Sequence, residues 1–161
     1  MNQRAAAKDS SRSAWGEGPF ATANSMDEPG WREIEHTADW ALEIRGKDHA
    51  QLFENAARGM ASLLGGRSVG RRASRKRLRL IAPDWETLLV DWLTELLFWL
   101  EEEGLILDEV RIQRIKETEV QGVAMGKKGT DLKRHIKAVT YNDLAIRAAE
   151  GGLETTIVFD V

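Results

Sequence analysis

The sequence closes on Ile157-Val-Phe-Asp-Val161, an apolar run that ends in two anions, the Asp160 side chain and the α-carboxylate of Val161. Carboxylates held this close raise one another's pKa unless a cation lies between them. Hard oxygen donors of this kind select Mg²⁺, Mn²⁺ or Ca²⁺ over zinc. A third carboxylate from a distant strand would complete a divalent-cation site. Asp39, in Glu35-His-Thr-Ala-Asp39, is the candidate, since the first and last strands of small sheets are commonly neighbours. On spacing alone, the alternative of exposed carboxylates that bind nothing stays open.

Other chemistry is thinner. The chain has no cysteine, which removes disulfides, thiolate metal sites and thiol nucleophiles and suits a cytoplasmic location. Its histidines, His36, His49 and His135, are not at metal-ligand spacing, and only His36 stands beside carboxylates at a strand irregularity. His49 is expected at the surface, in the first turn of a helix. There is no Walker loop, dinucleotide fingerprint or HExxH pattern. Gly126-Lys-Lys-Gly-Thr130 lacks the spacing of a phosphate loop and reads as a solvated hairpin tip. The run from Arg67 to Arg79 holds seven basic residues and no acid. Within it Arg71, Arg72, Arg75, Lys76 and Arg77 are candidates for contact with RNA or a partner, on what is expected to be an exposed loop. Asp91 and Glu95 are four apart on an otherwise apolar helix and read as its wet stripe or as ion-pair partners.

The elements that position these groups follow from periodicity. The 161 residues, 42% of them apolar, suffice for one core. Residues 1–30 are too poor in apolar side chains to offset chain entropy and are expected to be a flexible extension, leaving 31–161 as a single domain. No stretch is long enough to cross a bilayer, and no membrane partner is expected. Trp31 to Gly46 alternates as a strand with Ile34, Trp40, Leu42 and Ile44 on the apolar face, interrupted near His36-Thr37. Asp48 and Gln51 form a capping box before a helix that stops at Gly65-Gly66. Arg77 to Ala82 alternates again. Asp84 caps a second helix, apolar around most of its circumference and ended by Gly104. Five strand-like segments follow, with turns near Glu117-Thr118 and at Gly151-Gly152. The expected class is α+β: mostly antiparallel sheet with two packed helices, and a hint of duplicated strand–helix–strand units.

Four segments together carry a family likeness. His36-Thr-Ala-Asp39, Leu88-Leu-Val-Asp-Trp-Leu-Thr-Glu-Leu-Leu97, Lys137-Ala-Val-Thr-Tyr141 and the closing Phe159-Asp-Val161 resemble the archease family, in order, from about Glu35 to Val161. Trp40 departs from the smaller aliphatic residue usual in the family, and Asn142 from a frequent histidine. The resemblance implies a small α+β protein that is not itself an enzyme. It implies a protein cofactor for the RtcB-type RNA ligase, promoting guanylylation of that ligase's active-site histidine and its repeated turnover in tRNA splicing or RNA repair. RNA would be met through the ligase. It also implies a metal site of Asp39, Asp160 and Val161, with calcium as the family's ion and Mg²⁺ or Mn²⁺ as alternatives. Two competing readings are an RNA-binding module acting through 67–79 and a metal-dependent phosphoesterase, the latter needing a positioned water and a general base.

Overall fold

The alternation from Trp31 to Gly46 builds two strands rather than one. In the computed structural model, which describes residues 29–161, β1 (Trp31–Ile34) and β2 (Trp40–Gly46) are antiparallel, with Trp31 opposite Ile44 and Ile34 opposite Ala41. The interruption expected near His36-Thr37 is therefore a full chain reversal, with 35–39 at its tip. Residues 1–28 of the expected extension lie outside the described residues.

Helix α1 (His49–Leu64) starts as its capping residues dictate. Asp48 accepts from the Gln51 backbone N–H at 2.8 Å, while the Gln51 side chain accepts from Lys47 N at 2.7 Å. At its end Gly65 adopts φ 70° and ψ −145°, a positive-φ conformation open to glycine. Helix α2 (Trp85–Glu101) is capped by Asp84, which accepts from Thr87 N at 2.8 Å. Its near-continuous apolar surface is explained by its position. It packs on α1 and reaches strands of both sheets, burying Leu88, Leu89, Trp92, Leu93 and Leu96 completely. Among the described residues no helix is long and apolar enough to cross a membrane.

Two antiparallel sheets flank the helices. The first has the order β1-β2-β8-β6, with β6 (Ala138–Val139) and β7 (Arg147–Ala149) both pairing β8 (Gly152–Asp160). The second has β5 (Glu119–Leu132) between β3 (Gly65–Ile81) and β4 (Leu105–Lys116). The class expected from sequence, α+β with mostly antiparallel strands and two helices, is the class found.

Three local expectations are corrected. The basic segment 67–76 is part of a long edge strand rather than a loop, with a pairing irregularity between Ser68 and Ala73. Gly126 to Thr130 is not a hairpin tip, because β5 continues through it against Arg67, Ser68 and Ser74. His49 is not a free surface group, since its ring stacks on Trp85 with centroids 3.6 Å apart. Burial lowers its pKa from 6.5, against the opposing pull of Asp48, Glu86 and Glu117. A histidine whose folded pKa is depressed binds its proton more readily when unfolded. Its contribution is thus complete above the unfolded pKa and diminishes as pH falls below about 6.5. His49→Phe is expected to flatten the decline in melting temperature between about pH 7 and 5. An unchanged pH profile would remove His49 as its source.

Candidate divalent-cation site at the end of the last strand

Phe159 is fully buried and anchors the outer end of β8 in the core. It lies opposite Trp40, the first residue of β2. One step outward on each antiparallel strand come Asp39 and Asp160, so the tip of the β1–β2 hairpin and the end of the chain are neighbours. On the other side of β8, Ala138 pairs with Asp160 and the Lys137 backbone N–H donates to the Asp160 carbonyl at 2.8 Å. It is thus the backbone of Lys137 that meets Asp160. Val161 follows, half-buried, with the terminal carboxylate.

The charges at this corner are unbalanced. Among the described residues, the ionic neighbour of the Asp39 carboxylate is the His36 ring, with Nδ1 4.0 Å from Oδ2. That Nδ1 is shielded from solvent and has no hydrogen-bond partner. Asp160 has no cationic side chain paired with it among the described residues. Hard oxygen donors, no compensating cation and an unsatisfied ring nitrogen alongside suit a divalent ion. Counting only His, Cys, Asp and Glu side chains, the described residues contain no group of three able to hold a metal.

Sequence reasoning did not assign the surroundings of this corner. Trp40 carries the Arg134 guanidinium over its ring at 4.9 Å, and Arg134 in turn pairs with Glu33 at 2.7 Å. A larger residue after Asp39 thereby ties the hairpin to the segment entering β6. His135 is exposed, with Nδ1 2.9 Å from Glu101 Oε2. The other oxygen of Glu101 accepts from Ile136 N at 2.9 Å, docking this segment on the end of α2. Asp91 and Glu95 are half-buried, with no ion pair among the described residues.

The basic strand separates by alternation. Arg71 and Arg72 lie in the irregular stretch of β3, exposed; Arg75 and Arg77 are exposed on the face turned away from the helices. Lys76 points the other way. It pairs with Glu103 and sits over Trp99, 5.1 Å from the ring centroid, so its charge is taken up within the molecule.

The molecule can be compared with known proteins on this geometry. The model of the "Archease protein family (MTH1598/TM1083)" matches residues 31–161. The chain is 35% identical over 137 residues to the protein archease of Methanosarcina barkeri, covering 80% of this chain and 93% of that one. It is 29% identical over 141 residues to that of Aeropyrum pernix, covering 82% and 97%. Among solved structures, Methanobacterium thermoautotrophicum protein 1598 superimposes with a TM-score of 0.65 at 25% identity, over 83% of this chain and all of that one. An archease from Thermotoga maritima, described as a possible chaperone, superimposes with a TM-score of 0.60 at 26% identity, over 81% and 96%. Motifs, fold and relatives agree, and the chain belongs to the archease family.

Proposed function

We propose that this protein is an accessory factor, not an enzyme, that activates an RtcB-type RNA ligase in the cytoplasm during tRNA splicing or RNA repair. It would promote guanylylation of the ligase's active-site histidine and so sustain multiple turnover. Family membership supports the reading, and the observation that carries it is the β2–β8 register, with Asp39 and Asp160 one step beyond the Trp40–Phe159 pair.

Asp39, Asp160 and the Val161 carboxylate would hold the ion, calcium first and Mg²⁺ or Mn²⁺ otherwise. The bound ion supplies a fixed positive charge where three carboxylates would repel. The chain's own part is positional. Phe159 fixes the strand end in the core, Lys137 holds the Asp160 carbonyl, and Arg134 on Trp40 steadies the hairpin.

The test is a guanylylation assay with a partner ligase. Asp39→Ala and Asp160→Ala are each expected to lower stimulation by about tenfold or more, the scale of losing a supporting group at a metal site. Circular dichroism should show the fold retained. Full stimulation by both variants would defeat the site, and no stimulation by the unaltered protein would defeat the function.

A further inference from the structure

The face of the second sheet that turns away from the helices is unusual for its charge. On β5, Val120 and Ala124 are buried in the core, and a Cβ on Gly122 would lie 2.6 Å from the Trp92 ring, so the even positions face inward. The odd positions Gln121, Val123 and Met125 therefore face outward. Their register partners are Arg79, Arg77 and Arg75 on β3, and Arg114, Arg111 and Glu109 on β4. The central strip is thus flanked by three arginines on β3 and by two arginines and a glutamate on β4. Val123 is only 6% exposed yet lies outside the main hydrophobic cluster, which is how a strip covered by long arginine stems behaves.

Two acids temper this face. Glu119 pairs with Arg79 at 3.1 Å, and Glu109 pairs with Arg111. Arg75, Arg77, Lys127 and Arg114 have no carboxylate paired with them among the described residues, whereas Lys116 lies opposite Glu119. The whole chain carries a net charge of −3, so this concentration of cations is offset by acids elsewhere. Along a strand, cations on one face recur about every 6.8 Å, and the two rows stand about 10 Å apart. That is a trough with positive walls and no aromatic side chain on its floor. It suits a phosphodiester backbone, gripped through its charges, with no stacking platform for bases.

We infer that the outward face of the β3–β5–β4 sheet binds the phosphate backbone of RNA directly, without reading its bases. The property belongs to this chain alone and does not depend on ligase activation. Four unpaired cations set the scale. For a single strand, log K should fall against log salt with a slope of about −2.8, roughly a fiftyfold loss between about 50 and 200 mM salt.

Fluorescence anisotropy with labelled oligouridine tests this. Saturable binding with that slope is expected, along with about tenfold or greater weakening in the double variant Arg75→Glu/Arg77→Glu. The equally charge-reversed control Lys47→Glu/Arg147→Glu, away from the face, should bind within about twofold of the unaltered chain. Circular dichroism verifies that both variants fold. Equal weakening by the control would overturn the site. Absence of binding at low salt would overturn the inference and point the face to an acidic protein surface instead. Binding to phosphatidylserine vesicles as tight as to oligouridine would overturn the assignment to nucleic acid. Ligase stimulation by the Arg75→Glu/Arg77→Glu variant is a separate readout, so either proposal can fail while the other stands.

Discussion

Trp92→Ala is expected to destabilise the fold by about 3–5 kcal/mol, the range for removing a buried large aromatic. Trp92 is fully buried in the middle of α2, and its indole N–H donates to the Phe53 carbonyl of α1 at 3.2 Å. The same ring lies against Gly122, so one side chain joins both helices to the second sheet. For a chain of this size the loss corresponds to roughly 10 °C in melting temperature. Gly122→Ala is expected to be destabilising too, because a Cβ there would be 2.6 Å from the Trp92 ring and 2.9 Å from the Arg111 carbonyl. Combining the two removes the ring and leaves only the Arg111 carbonyl in the way. The double variant should therefore be more stable than the sum of the single losses predicts. Chemical denaturation of all four proteins measures this. Strict additivity would show that the ring and the strand are not in contact.

The second large effect concerns the cation. Calcium at about one hundred times its dissociation constant should stabilise the protein by about 2.7 kcal/mol, or roughly 5–10 °C in melting temperature, reversed by chelator. Asp39→Asn and Asp160→Asn keep the shape of each side chain and remove one charge, and each should abolish most of the rise. Adding one glycine after Val161 would carry the terminal carboxylate about 3.5 Å outward, and the rise should be lost although both aspartates remain. A calcium response unchanged in these three variants would put the ion elsewhere. No response in the unaltered chain would remove the site. Because the readout is thermal stability, the result stands apart from any effect on a ligase.

Much of the fold was legible because local chemistry and tertiary packing agree. Asp48 with Gln51, Asp84, Gly65 and Gly104 mark helix ends through hydrogen bonds and backbone angles made within a few residues. The apolar stripe of α1 and the all-round apolar surface of α2 announce how much of each is buried. The segment from Arg67 to Lys76 was not legible. One face of it meets water and long arginine stems screen its neighbours, so it shows no apolar alternation. Its strand conformation comes from β5, more than forty residues later in the chain, through a ladder of backbone hydrogen bonds that no local pattern encodes.

Sequence alone determined the α+β class, both helices with their caps, and the four motifs that mark the family. It also singled out Asp39, Asp160 and Val161, one from the motif near the start of the domain and two from its end. Only the tertiary structure decided that these ends are neighbours, that Lys76 turns inward while Arg75 and Arg77 turn outward, and that cations of β3 and β4 face one another across β5. The reason is physical. Capping and periodicity act over a turn or a pleat, whereas strand order and register depend on which distant segments best share hydrogen bonds and a buried face.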